Sequence, residues 1–133
     1  AAVQQISIPE WADAQRAMQR YRRGRPYPSL HGHTAIVVDD GLTTGYTIMG
    51  AIISARKMEP DRVVVAVPVA SLNGLERVRD YVDDLLALEI STADDFLVAN
   101  YYTHYPAIGD QEVIWTLDHF WEGPGKAGFT ETF

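Results

Sequence analysis

"AIVVDDGLTTGYTIMG", Ala35 to Gly50, is the stretch on which the fold turns. Four apolar residues run into Asp39 and Asp40, a Gly- and Thr-rich turn follows, and then an apolar pattern of helical period begins. "TAIVVD" is a continuous apolar run of strand length, as expected of a strand covered on both faces. "YTIMGAIISARKM" has the length and spacing of a helix, with Arg56 and Lys57 in its last turn, where cations suit the dipole. The acids and the hydroxyl-rich turn therefore stand between a strand end and a helix N-terminus.

Further strands and helices alternate outward from this unit. "DRVVVAVPV" is a second buried strand, "SLNGLERVRDYV" a helix opened by Ser71, and "DDLLALEI" a third strand. "DDFLVANYY" has the length of a short edge strand, and "GDQEVIWTLDHFW" that of a closing helix. Upstream, "SIPEWADAQRAMQRYRRGRP" starts with Ser7 and Glu10 at capping-box spacing and Pro9 in the first turn. Trp11, Ala14, Met18 and Tyr21 would form its buried stripe, and Gly24 and Pro26 stop it. "PYPSLHGH" is a loop. Strand, helix, strand, helix, strand at this spacing predicts an α/β fold: a parallel sheet with flanking helices and right-handed crossovers. One domain is expected over residues 1–121, with 122–133 as a tail.

In such sheets ligands bind beyond the carboxyl ends of the strands, where Asp39 to Thr47 lie. A helix N-terminus offers unpaired N–H groups and the positive end of a dipole, which suit a phosphate. Thr43, Thr44 and Thr47 add hydroxyls, and Gly45 lets backbone approach closely. Asp39 and Asp40 would repel a bare phosphate, but they accept hydrogen bonds from neutral hydroxyls. A phosphate beside a vicinal diol is a sugar phosphate, most simply a ribose 5-phosphate. The competing reading is a plain turn with a helix cap.

Composition bounds the rest. The chain has 133 residues, a formal net charge of −7, 47% hydrophobic residues and no cysteine. This suffices for one domain with a core and excludes disulfides, thiolate metal sites and Cys nucleophiles. The acidic balance does not suggest a nucleic-acid partner. No apolar run has the length of a membrane span, and the N-terminus does not read as a signal peptide. A cysteine-free chain fits a reducing compartment, so the expected location is cytoplasmic. The chain starts at Ala1 rather than Met, as a piece of a longer protein would.

"AIVVDDGLTTGYT" resembles the signature of the type I phosphoribosyltransferases, the loop that binds phosphoribosyl pyrophosphate. Gly41 is a departure, since an aliphatic residue or Ser is more usual there, and it resembles the subgroup of uncharacterised phosphoribosyltransferases. "RAMQRYRRGRP", "DRVVVAVPVAS" and "YYTHYPAIGDQEV" are similar to segments of that subgroup, so the resemblance covers most of Arg16 to Val113. It implies that Asp39 and Asp40 bind the ribose 2′- and 3′-hydroxyls at the reacting sugar. It implies that Thr43, Thr44, Gly45, Tyr46 (through its backbone N–H) and Thr47 hold the 5′-phosphate. Phe96 and Val98 fall where the family's base-binding segment lies, and a core or edge-strand role is the competing reading for both. The family reaction displaces pyrophosphate from C1 of the ribose by a nitrogen nucleophile, with Mg²⁺ bound through the pyrophosphate. Thr43 stands where purine-salvage members carry an Asp base, which argues against a hypoxanthine/guanine-type activity. The family's earlier strand with its pyrophosphate loop, and its mobile loop, have no counterpart here. The chain thus resembles the C-terminal part of the fold. A homo-oligomer or a larger parent chain is expected, and a non-catalytic phosphoribosyl- or nucleotide-binding domain is the alternative.

Several residues carry two readings. Arg16, Arg20, Arg22, Arg23 and Arg25 form either a solvated helix end or a contribution to pyrophosphate binding or a subunit contact. His31 and His33 have the spacing of a strand-borne metal pair but lie in a loop with no third ligand nearby. Tyr101, Tyr102 and Tyr105 either stack on a base or pack beside the site, and His104 stands where the subgroup has Asp. Trp115, Phe120 and Trp121 are core or interface candidates. A response-regulator receiver also has an acidic pair at a strand end, but its phosphoacceptor Asp and its Lys have no counterpart in "VVVAVPVAS" and "LLALEIS".

Overall fold

A computed structural model describes residues 15–122. The chain divides into two compact units, Pro28–Tyr105 and Ala1–Tyr27 with Pro106–Phe133. The first holds three parallel strands, β1 (Thr34–Val38), β2 (Arg62–Ser71) and β3 (Asp84–Ser91), in the order β1-β2-β3. Val37 pairs with Val65 and Leu85 also pairs with Val65, which places the three expected strands side by side. Two crossover helices connect them, α2 (Tyr46–Arg56) and α3 (Leu72–Val78). The second unit holds α1, of which residues 15–22 are described, and α4 (Asp110–Glu122).

The core follows from the two periods. Ala35, Val63, Val65 and Val67 point to one face of the sheet at strand spacing, while Ile48, Ile52 and Ala55 present one face of α2 at helical spacing. Leu75 and Val78 close the core from α3. Burying each large aliphatic contributes about 1.5–3 kcal/mol. Ser71 caps α3 by accepting the Gly74 N–H at 3.0 Å, as expected of a serine at that position.

Three expectations are corrected. β1 is covered on one face only: Val38 is 70% exposed and Leu88 of β3 91%, with Ile36, Leu86 and Ile90 exposed on the same side. An unbroken apolar run does not say how many faces are covered, because the bare face here is as apolar as the packed one. "DDFLVANYY" is not a strand; it carries a single 3-10 turn, Val98–Tyr101, and β3 is an edge among the described residues. Lys57 is the residue after α2 rather than part of its last turn, which leaves Arg56 as the cation there.

In the other unit, α1 ends at Arg23 and Gly24, both with positive φ (51° and 78°). The expected helix start at Ser7, Pro9 and Glu10, the stripe residues Trp11 and Ala14, and the tail beyond Glu122 lie outside the described residues. Met18 is exposed, so the stripe is not buried there. Trp115 and Phe120 are more than half exposed and so do not form a core; Trp115 stacks on His119 with ring centroids 4.9 Å apart. Arg20 pairs with Asp110, which also accepts from Tyr21 at 2.6 Å, and Asp118 pairs with Arg23 at 2.5 Å and Arg25 at 2.7 Å. The hydrogen bond from Tyr21 to Asp110 and that from Arg25 to Asp118 are the main reasons both carboxyls sit below the usual range. Three of the clustered arginines thus serve the α1–α4 pairing. Among the described residues, no helix is long and apolar enough to cross a membrane.

Candidate functional site

β1 ends at Val38, and the chain then leaves the sheet for three residues before rejoining it. Leu42 N–H donates to Val69 O at 2.9 Å, and Leu42 O accepts from Ser71 N–H at 2.8 Å, forming a lone parallel bridge to Ala70. Leu42 is 1% exposed, so its side chain anchors the excursion in the core. Asp39 and Asp40 lie on the near side of this anchor and the threonine loop on the far side. His31 and His33 precede β1, at the opposite end of the strand, where His33 Nδ1 lies 2.8 Å from the His31 carbonyl.

Gly45 is the N-cap of α2, with φ 82° and ψ −4°. A Cβ at this position would come 3.2 Å from both Gly74 O and a Val78 methyl, so conformation and space both call for glycine. No side chain caps α2, although Thr43, Thr44 and Thr47 flank its start. Gly45, Thr47 and Ile48 at this helix start line a cavity of about 270 Å³. Its walls are Asp39, Asp40, Gly41, Leu42, Thr43, Thr44, Gly45, Thr47, Ile48, Val98 and Tyr105. The positive end of a helix and two carboxylates thus share one space.

The acids are already engaged in different ways. Asp39 accepts the Asp40 N–H at 3.0 Å. Asp40 accepts a hydrogen bond from the Tyr105 hydroxyl on its side chain and one from the Tyr102 hydroxyl, at 2.6 Å, on its backbone carbonyl. The two tyrosine rings lie 5.2 Å apart. The bond to Asp40 is the leading reason the Tyr105 phenol is held above its ordinary value, where it stays a donor. A phenol on this carboxylate has the same chemistry as a sugar hydroxyl on it.

Comparison with known proteins then places the chain. The family model for the phosphoribosyl transferase domain matches residues 3–104. This chain belongs to the phosphoribosyl transferase domain family. Two proteins from two strains of Mycobacterium tuberculosis, each carrying the name "Putative phosphoribosyl transferase", are 34% identical over 128 residues. That alignment takes in 96% of this chain and 29% of either relative. The solved structure of TT1426 from Thermus thermophilus superposes with a TM-score of 0.69 at 36% identity, over 76% of this chain and 48% of that one. The chain therefore spans less than a third of the curated relatives and about half of TT1426.

Of the expected site residues in this phosphoribosyl transferase domain, Asp39, Asp40, Thr43, Thr44, Gly45, Thr47 and Val98 line the one cavity. Tyr46 belongs to the same loop, but its side chain points elsewhere, under the guanidinium of Arg77 at 4.4 Å. Phe96 is 8% exposed and packs on Tyr101 with centroids 5.4 Å apart, so it is a core residue and not part of the cavity wall. Val98 explains the departure at Gly41: a Cβ there would stand 2.4 Å from a Val98 methyl. Sequence reasoning missed Ser71, Gly74 and Arg77, which grip the loop from α3. Gly74 lies so close to the loop that a Cβ would meet Thr43 O at 2.4 Å. The available signal was a glycine inside a helical pattern, which marks a close approach.

Proposed function

We propose that this chain binds the 5-phosphoribosyl group of phosphoribosyl pyrophosphate or of a nucleoside monophosphate. In the complete protein it forms the ribose-phosphate half of a phosphoribosyltransferase that transfers this group to a nitrogenous base. One observation carries the reading: the N-terminus of α2 lacks any side-chain cap, and its residues line the same cavity as Asp39 and Asp40. Uncapped amides and the helix dipole suit the phosphate, with Thr43, Thr44 and Thr47 as hydroxyl donors and Gly45 and Tyr46 contributing backbone N–H. Asp39 and Asp40 suit the ribose 2′- and 3′-hydroxyls. As the bond from C1 to pyrophosphate breaks and positive charge grows on the ring, the same carboxylates stabilise it. Val98 borders the place of the base.

The residues also fit a magnesium ion carried in by the substrate. Hard cations take oxygen ligands and keep several waters, so one or two carboxylates suffice. Among the described residues no three His, Asp or Glu side chains converge to form a metal cage of their own. When bound, the ion neutralises charge on the departing pyrophosphate.

A second reading, a phosphoribosyl-binding regulatory or interaction domain without catalysis, is favoured by the hold of Tyr105 on Asp40. The exposed apolar face of the sheet is the reason to expect a homo-oligomer or a larger parent chain. The expected location is cytoplasmic. Calorimetric titration with ribose 5-phosphate, phosphoribosyl pyrophosphate and a nucleoside monophosphate tests binding. A charge-assisted hydrogen bond contributes about 1.5–3 kcal/mol, so Asp40→Asn weakens all three by roughly 10- to 100-fold. Thr44→Val acts only on ligands bearing the phosphate. Unchanged affinities in both variants would reduce the loop to a strand-to-helix connection. Pyrophosphate release on adding bases separates the enzyme from the regulatory domain.

A further inference from the structure

The amides of the threonine loop have to be aimed, and the loop does not aim them itself. Ser71 Oγ–H donates to Thr43 O at 2.5 Å, and the Arg77 guanidinium donates to Thr44 O. Ser71 caps α3 and Arg77 lies within it, and neither lines the cavity. Among the described residues there is no cis peptide bond, so each of these peptide units is trans. In a trans unit the C=O of one residue and the N–H of the next point in opposite directions. Drawing the carbonyls of Thr43 and Thr44 toward α3 therefore turns the amides of Thr44 and Gly45 the other way. Neither amide has an acceptor among the described residues. Successive N–H groups ending in a left-handed residue, here Gly45 at φ 82°, form a concave anion nest. Arg77 does not line the cavity, while Thr44 and Gly45 do.

We propose that Arg77, with Ser71, is a positioning residue for phosphate: it holds the loop carbonyls back so that the Thr44 and Gly45 amides face the ligand. This rests on the phosphoribosyl-binding reading above. Gly74 permits it, because any side chain there would push α3 off the loop. Tyr46 completes it, since the guanidinium that holds Thr44 O also lies over the Tyr46 ring. Arg77 is exposed and its removal leaves the core intact, which makes it the informative position. Ser71 also caps α3, so its substitution would mix binding with stability.

The test uses the full chain with ribose 5-phosphate as the probe. Arg77→Met is expected to weaken binding about tenfold, and Arg77→Lys, which keeps a donor, to retain most of it. A distant cation attracting phosphate through its field would be screened at about 0.5 M salt, whereas an aimed loop would not. The ratio of wild-type to Arg77→Met affinity is therefore expected to persist between about 0.05 and 0.5 M NaCl. In the ligand-free protein the Thr44 and Gly45 amide resonances are expected to move in Arg77→Met while the melting temperature stays nearly constant. An affinity ratio near one, or one that collapses at high salt, would overturn the proposal. Its failure alone shows as Arg77→Met binding normally while Asp40→Asn and Thr44→Val bind weakly. If all three bind like wild type, the phosphoribosyl reading fails together with it.

Discussion

Replacing Gly74 by alanine sets two physical effects against each other. Alanine is the better helix former, by about 1 kcal/mol in a helix interior. On propensity alone Gly74→Ala should raise stability. The packing says the opposite. The new methyl would stand 2.4 Å from Thr43 O, 3.0 Å from Leu42 O and 3.1 Å from Leu42 Cγ. Two of these neighbours are backbone, and both are fixed, one by Ser71 Oγ and the other by Ser71 N–H. Relief requires α3 and the loop to separate by about 1 Å, and overpacking of this kind costs about 1–3 kcal/mol. The net expectation is a loss of about 0–2 kcal/mol, up to roughly 15 °C in melting temperature for a unit of this size. The same separation stretches the bonds from Ser71 and Arg77 to the loop, so affinity for ribose 5-phosphate falls as well. Thermal unfolding followed by far-ultraviolet circular dichroism, paired with a ribose 5-phosphate titration, reads both effects. A variant that melts higher than wild type and binds as tightly would refute the reasoning.

Tyr105→Phe removes the phenol from Asp40 and should tighten ribose 5-phosphate binding roughly 3- to 10-fold by calorimetry, because a ribose hydroxyl no longer has to displace it. Looser binding would make the phenol a ligand contact instead. Asp83 accepts the Val63 N–H at 2.7 Å, the main reason its carboxyl sits low, and pairs with Arg56 at 2.9 Å. A lowered carboxyl contributes stability above its ordinary range and loses it as pH falls through the lowered value, so Asp83→Asn should melt lower at about pH 7, with the gap closing below about pH 4. Leu42→Ala should cost about 2–5 kcal/mol in urea unfolding, since it removes a fully buried anchor. Sedimentation at micromolar concentration should show association of the chain through its bare apolar surface; a stable monomer would count against the expected homo-oligomer.

The three parallel strands and the loop between β1 and α2 were legible because each is local. Valine-rich runs mark the strands, and the proposed phosphoribosyl-binding residues Asp39 to Thr47 fall within one short segment. Coverage of the sheet was not legible: Ile36, Val38 and Leu88 are as apolar as their buried neighbours, and a pattern of residue types does not record which face lacks a partner. Phe96 carried two readings because an aromatic after a third strand has the same appearance in a core as at a base, and its burial agrees with the core reading. Ser71, Gly74 and Arg77 were hidden for another reason. They act on a loop roughly thirty residues earlier in the chain, through contacts to its backbone carbonyls. Backbone acceptors leave no mark on residue identity at the partner position. Only a glycine where alanine would have made the better helix hinted that something lay close.

Amide chemical-shift mapping of the full chain on addition of ribose 5-phosphate, with D-ribose in parallel, tests the central claim most directly. The account predicts saturable shifts concentrated at Thr43 to Thr47 with ribose 5-phosphate, and shifts at Asp39 and Asp40 with both ligands. Shifts scattered over the surface, or a loop that stays silent at saturating ribose 5-phosphate, would contradict it.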